Sequence, residues 1–375
     1  MRIGKHQVSV ETAAFVIFLL YFIDLGFYSI AASLAKKTKK SNSIAHNFPF
    51  VSVIVAAKDE ESNIRTCLES LIRLKYPKEK IEVIIANDQS TDRTPAIVDE
   101  FTLKYSFIKR VDVSPDENLR GKPNALSQGI DRARGEIIFL TDADCEVPTQ
   151  WIDETLKYFD EDTGIVGGVT HIDSADTVFS GIQALDWDLL LTLAAGAATV
   201  GKPTGCLGNN LAFKKEAYED VGGYRKIKFS VTEDYALYKS ISKSKKWNFK
   251  YPIDRLTLVH TKPVKTLKEL FSQRRRWATG GKDTGIFGIG TMTPGFLLHW
   301  LIILSPLYSL VYFGFLFVFK MAVDTLFLFP ILRYYGKVSH LKFIVFFEIY
   351  YILYVALLPF LVFIGGGVKW KGRKY

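Results

Sequence analysis

The sequence predicts an α/β domain with a mostly parallel sheet, flanked by transmembrane helices. Three observations carry this. Apolar, β-branched runs alternate with amphipathic stretches between residues 50 and 145. Those runs end abruptly in acids. Both ends of the 375-residue chain are strongly apolar and account for the excess in a composition that is 48% hydrophobic.

The first element is Val8 to Ala35, apolar apart from Glu11, Asp24 and a few hydroxyls. It covers the ~20 residues a spanning helix needs. Its length, and the basic cluster that follows it, read as an anchor rather than a cleaved leader. Lys36, Lys37, Lys39 and Lys40 outnumber Arg2 and Lys5, which places the N-terminus outside and the chain after Lys36 in the cytosol. Lys36 to Asn47 reads as a linker. Residues 1–47 are thus an anchor and basic linker, 48–284 the α/β domain with a C-terminal interfacial helix, and 285–375 a membrane region with a basic tail.

Within the domain, "FVSVIVAA" (Phe50 to Ala57) is a strand buried on both faces. Ile64, Cys67, Leu68, Leu71 and Ile72 then recur at helical spacing. "IEVIIAND" is a second buried strand, "STDRTPAIVDEFTLKY" a capped helix, and "EIIFLTDADC" (Glu136 to Cys145) a third strand. Parallel sheets of this kind bind ligands at the carboxyl ends of their strands. Here those ends carry Lys58, Asp59 and Glu60, then Asp88, then Asp142 and Asp144. No G-x-G-x-x-G and no Walker lysine loop is present, so dinucleotide and P-loop chemistry have no support.

Asp142 and Asp144 lie two apart at a strand end, where both carboxylates can reach one hard cation, Mg²⁺ or Mn²⁺. Asp88 can accept hydrogen bonds from a base or ribose, and Asp92 reads as a helix cap. "VTEDYALYKSI" starts a helix at Thr232 or Glu233. Asp234 near its N-terminus is favoured as the ionised carboxylate by the helix dipole, which suits a general base. In "FSQRRRWATGG" (Phe271 to Gly281), Gln273, Arg276 and Trp277 share one helical face, while Arg274 and Arg275 point elsewhere. That face offers an arginine fork, an amide donor and an aromatic wall to a diphosphate; contact with anionic lipid is the plainer alternative.

Towards the C-terminus, Gly295 to Phe319 and Leu341 to Gly365 read as two spans. Met321 to Leu332, flanked by Lys320 and Arg333 and containing Asp324, reads as a short interfacial or re-entrant segment, with a further crossing as the alternative. Three spans in total return the tail "KWKGRKY" to the cytosol. The net charge of +9 lies largely beside the apolar ends, which points to a membrane surface and away from nucleic acid. Cys67, Cys145 and Cys206 match no metal spacing and read as core residues in a reducing compartment. Ile182 to Ala198 is apolar around Trp187 and reads as core, with an acceptor lip as the alternative.

Together "ANDQS", "TDADC", "TED" and "QRRRW" resemble the membrane-bound family 2 glycosyltransferases of GT-A fold, the group of ceramide glucosyltransferase and the cellulose and hyaluronan synthases. The resemblance covers roughly Phe50 to Gly281. "GKPNALSQGI" and "GCLGNNLAFKKEAYEDVGGY" also look like family segments. It implies that Asp88 holds the nucleoside, Asp142 lies near the sugar-diphosphate and Asp144 ligates the metal. It further implies that Asp234 is the catalytic base and that Gln273, Arg276 and Trp277 hold the diphosphate, with Lys122 near the nucleotide. One departure is Asp59, where the family commonly shows asparagine.

The implied activity is inverting transfer from a nucleotide-diphospho sugar, with UDP-sugar first in line. Few spans argue against a channel for a polymer, so the expected acceptor is a membrane-embedded lipid or polyprenyl-type alcohol. A processive polysaccharide synthase subunit and a non-catalytic membrane scaffold are the alternatives. The expected location is an integral membrane protein, in the plasma membrane if bacterial, with the catalytic domain in the cytosol.

Overall fold

The computed structural model describes residues 2–41, 48–173, 175–281, 284–364, 369–370 and 373–374. The chain divides into two compact units, neither of them contiguous. An α/β unit comprises Ala35–Asp173, Gly205–Lys262 and Gly367–Tyr375. A helical unit comprises Met1–Leu34, Ser174–Thr204 and Pro263–Gly366. This differs from the expected division at residues 47 and 284, because Ser174–Thr204 and the chain from Pro263 group with the apolar helices.

The α/β unit contains β1 (Val51–Ala57), β2 (Ile81–Asn87), β3 (Ile108–Asp112), β4 (Ile137–Asp142), β5 (Cys145–Glu146), β6 (Thr163–Gly167), β7 (Thr170–Ile172), β8 (Leu211–Lys214), β9 (Asn248–Lys250) and β10 (Val259–Thr261). Seven of them form one sheet in the order β3-β2-β1-β4-β8-β6-β9. β3, β2, β1 and β4 are parallel, β8 is antiparallel to both its neighbours, and β9 is parallel to β6. β5, β10 and β7 form a small second sheet. β1 and β2 pair along their whole length, from Val51 opposite Ile81 to Ala57 opposite Asn87. Their residues are almost all buried, as apolar β-branched runs covered on both faces must be. The one charge inside them, Glu82 of β2, is fully buried, accepting from Ser52 Oγ at 2.7 Å and pairing with Lys109 Nζ at 2.7 Å. The helix Ile64–Ile72 buries Ile64, Cys67, Leu68 and Leu71 against this sheet, in one core with Val53, Phe139 and Trp151. The three cysteines are buried thiols.

The expected linker is partly structured. Residues 42–47 lie outside the described residues, but Ala35–Ser41 is bonded into the α/β unit. Lys40 Nζ lies 2.8 Å from Glu154 and 2.9 Å from Asp254, and Ser41 N donates to Lys157 O at 2.6 Å. Lys40, expected to sit among lipid headgroups, is instead half-buried between two carboxylates.

Among the described residues, five helices are long and apolar enough to cross a membrane: Glu11–Ala35, Val178–Thr199, Gly285–Leu307, Leu310–Tyr335 and Val338–Phe360. Two expectations are corrected. Gly295 to Phe319 is not one helix, because Pro306 and the cap at Ser309 break it; Tyr312 N donates to Ser309 Oγ at 3.3 Å. Met321 to Leu332 is not a separate interfacial piece but the second half of the 26-residue helix Leu310–Tyr335. Its charges misled the reading because they pair inside the unit. Lys320 Nζ lies 2.7 Å from Asp324 one turn on and also bonds Glu348, and Tyr21 donates to Asp324 at 2.6 Å. The third expected span is a helix over Ile344–Ile364 preceded by a 3₁₀ turn, Val338–Phe343. The tail from residue 365 lies largely outside the described residues.

Val178–Thr199 is the most enclosed of the five, with 72% of its apolar window buried against 22–44% for the others, so it reads as an internal helix. A capping box starts it: Ser180 N donates to Thr177 Oγ1, and Thr177 N to Ser180 Oγ. Two glycines let it pack closely. A Cβ at Gly196 would lie 2.7 Å from Tyr28 O, and one at Gly181 would strike the Phe343 ring.

Candidate active site

The parallel strands deliver their polar ends to one edge of the sheet. After β1, the backbone turns at Asp59 through φ +51°, a left-handed conformation that aspartate and asparagine tolerate best among non-glycine residues. Asp59 Oδ1 accepts from Thr91 N at 2.8 Å and Thr91 Oγ1 at 3.3 Å, and Asp59 N donates to Ser90 Oγ at 3.1 Å. Aspartate and asparagine meet the same two demands, backbone and acceptor, which accounts for the departure at this position. Asp88 is buried at the end of β2, with its N–H donating to Ala57 O at 2.8 Å. Lys58 Nζ donates to the carbonyls of Asp88 and Gln89, both at 3.2 Å. Asp92 lies one residue ahead of the N-cap, Arg93, and its carboxylate accepts from Thr94 N, the first N–H of the helix, at 2.9 Å and from Glu61 N at 2.9 Å.

β4 ends at Asp142, and its antiparallel partner β8 starts beside it, with Leu140 opposite Leu211. The loop entering β8 therefore lies at the same edge. There Gly208 N donates to Asp234 Oδ2 at 2.8 Å, while Asp234 Oδ1 accepts from Tyr235 N at 2.8 Å. A side chain at Gly208 would press on Asp234, its Cβ 3.0 Å from the Asp234 Cβ. Lys122, at the start of the helix Lys122–Asp131, links the two halves of the edge. Its Nζ lies 2.7 Å from Asp142 Oδ1 and 3.1 Å from Glu233 Oε1. Asp88, Lys122, Asp142, Asp144 and Asp234 thus all belong to the α/β unit, and the last four share this edge with Glu233.

The electrostatics follow from crowding. Burial alone would pull the Lys122 ammonium's pKa down, but the neighbouring Asp142, Glu233 and Asp234 carboxylates outweigh that desolvation and push it up overall. Asp234 is half-buried, and its carboxyl is raised to about 6 by desolvation first and Glu233 second; Lys122 pulls it down. The helix N-terminus, which favours the ionised form, does not offset burial and Glu233. Asp144 is exposed, and its carboxyl is also raised to about 6, by desolvation from the atoms around it, then by Asp142 and Glu60. Among the described residues no group of three or more His, Cys, Asp or Glu side chains is placed to hold a metal. The surplus of negative charge around Asp144 nevertheless fits a divalent cation that completes its coordination with water and phosphate oxygens.

Gln273, Arg276 and Trp277 lie on the helix Leu267–Gly281 of the helical unit, all half-buried. Arg274 does not point away from them. Its Nη1 donates to Gln273 Oε1 at 2.9 Å, and its guanidinium stacks 4.3 Å from the Trp277 ring centroid. Sequence reasoning missed Glu233, which lay in view inside "TED", and Asp186, a carboxylate within an apolar run and hence a signal in itself.

Residues 52–222 match the family model "Glycosyl transferase family 2", so the chain carries a glycosyltransferase family 2 domain. Among curated relatives, "Probable glycosyltransferase YdaM" of Bacillus subtilis is 28% identical over 275 residues, 71% of this chain and 64% of that protein. A "Beta-monoglucosyldiacylglycerol synthase" of Nostoc sp. is 30% identical over 262 residues, 68% of this chain and 54% of that protein. A "Poly-beta-1,6-N-acetyl-D-glucosamine synthase" of Staphylococcus epidermidis is 29% identical over 240 residues, 62% and 55% of the two chains. The matches thus span 54–64% of the length of these relatives. The solved mannosyltransferase PcManGT from Pyrobaculum calidifontis, in complex with GDP-Man and Mn2+, superposes with a TM-score of 0.62 at 19% identity over 91% of this chain and 99% of that one. That similarity shows a common GT-A fold.

Proposed function

We propose that this chain is an inverting glycosyltransferase that moves one sugar from a nucleotide-diphospho sugar to a lipid or polyprenyl-type acceptor held in a membrane. The observation that carries the reading is the convergence of Asp142, Asp144, Lys122 and Asp234 on one edge of the α/β unit, whose residues 52–222 match the family 2 model. The apolar helices, and a relative named for making a glucosyldiacylglycerol, support a lipid acceptor.

In this reading Asp88 receives the nucleoside, and Asp142 and Lys122 lie by the sugar-diphosphate. Gln273, Arg276 and Trp277 bind the diphosphate by their donors and ring. Asp144 would hold Mg²⁺ or Mn²⁺, which supplies charge neutralisation for the leaving diphosphate; PcManGT was solved with Mn2+. Asp234 accepts the acceptor hydroxyl proton as that oxygen attacks the anomeric carbon. The bond from that carbon to the diphosphate breaks, and the diphosphate departs with the electron pair. A carboxyl raised to about 6 is ionised at pH 7 and is a stronger base than an ordinary aspartate. The α/β unit lies on the cytosolic side.

The test incubates membranes containing the protein with a panel of radiolabelled nucleotide sugars, followed by organic extraction. Label entering an extractable lipid supports the reading; label in a polymer identifies a polysaccharide synthase; no label with any donor rejects transfer. Asp234→Asn should keep donor binding and lose about 10²- to 10⁴-fold in turnover. Near-normal turnover would remove Asp234 as the base.

A further inference from the structure

Arg274 is the most enclosed residue of the helix Leu267–Gly281, at 1% exposure. Its Nε donates to Asp186 Oδ2 at 2.7 Å, and Nη2 lies 2.7 Å from the same oxygen. Tyr350 Oη donates to that oxygen as well, at 3.2 Å. Asp186 is fully buried on the helix Val178–Thr199, and Tyr350 belongs to Ile344–Ile364, so one carboxylate oxygen joins three helices of the helical unit. A buried arginine and a buried aspartate are each costly alone, so the pair is held or lost together. The Trp277 ring covers the guanidinium face and packs edge-on against Trp187, with centroids 5.0 Å apart.

The remaining arm of the guanidinium reaches Gln273. An amide has two unlike ends, an oxygen that accepts and a nitrogen that donates, and its orientation is set by its partners. A guanidinium has donors only, so Gln273 Oε1 must face Arg274, as it does at 2.9 Å. The Nε2 end is then left to donate. A diphosphate has acceptors only, and a reversed amide would set oxygen against oxygen. We infer that Asp186, through Arg274 and with Tyr350, is a positioning residue that fixes the Gln273 amide as a donor for the diphosphate. This rests on the reading that Gln273 meets the diphosphate of a nucleotide sugar.

The test is a double-mutant cycle on the full chain in detergent, with calorimetric binding of UDP and of GDP, each with Mn²⁺, and with donor KM and kcat measured beside it. Asp186→Asn and Gln273→Ala should each weaken nucleotide binding roughly tenfold and raise donor KM more than they lower kcat. The double variant should bind no more weakly than Gln273→Ala alone, because Asp186 acts through that amide. Losses that multiply to about a hundredfold in the double variant would overturn the inference and leave the functional reading standing. A wild-type chain that binds neither nucleotide would overturn that reading, and the inference with it. If Asp186→Asn does not fold, Tyr350→Phe removes one hydrogen bond to the same oxygen and enters the same cycle, with non-additivity supporting the inference and additivity rejecting it.

Discussion

Asp234 has two charged neighbours of opposite effect, and they make its role testable by pH. Glu233 raises the Asp234 carboxyl and Lys122 lowers it. A base must be ionised to act, so turnover should fall as pH drops through about 6. Glu233→Gln removes the raising influence, and the acid limb of the kcat profile should move to lower pH. Lys122→Met removes the lowering influence, and the limb should move to higher pH. Profiles taken at saturating donor and metal check both signs; shifts in the same direction would contradict the arrangement. The aspartates were legible because an acid closing an apolar strand has little structural reason to be there. Glu233 was not, because a second acid in a helix's first turn is ordinary. Arg274 was misjudged because helical spacing says which residues are neighbours and not which of them a distant carboxylate will hold.

At the scale of elements, β1, β2 and β4 could be read because strands buried on both faces are written mostly in apolar, β-branched letters, and the single charge inside β2, Glu82, does not break that pattern. β6, β8 and β9 span only three to five residues, too few to show a period, so the half of the main sheet beyond β4 stayed hidden. The helix Leu310–Tyr335 was cut short in the reading by charges that satisfy one another. That pairing yields a stability prediction. Lys320→Met strands Asp324 and Glu348, both fully buried, without their cation. It should cost about 3–5 kcal/mol, read as a lowered unfolding temperature in detergent. Replacing Asp324 with leucine and Glu348 with glutamine in the same chain should recover much of the loss. An unchanged unfolding temperature in Lys320→Met would show that the ion cluster contributes nothing.

For the whole molecule, a family 2 domain, apolar helices and a surplus of basic residues were all present in the sequence. Which helices group together was not, since Val178–Thr199 is apolar enough to pass for core of either unit. The metal assignment is tested at this scale. EDTA should abolish product formation by membranes carrying the protein, and excess Mn²⁺ or Mg²⁺ should restore it. Turnover that persists through chelation would remove the metal role from Asp144.

The two units are interleaved along the polypeptide, with Ser174–Thr204 falling between β7 and β8. No single truncation therefore yields a water-soluble enzyme fragment. An excision of the α/β unit alone must splice Asp173 to Gly205 through a short bridge, stop near Lys262 and so leave out Gln273, Arg276 and Trp277, and begin upstream of Lys40, whose ammonium anchors two carboxylates; it is expected to fold but not to turn over. A fragment begun at β1 would leave Glu154 and Asp254 without that counter-charge.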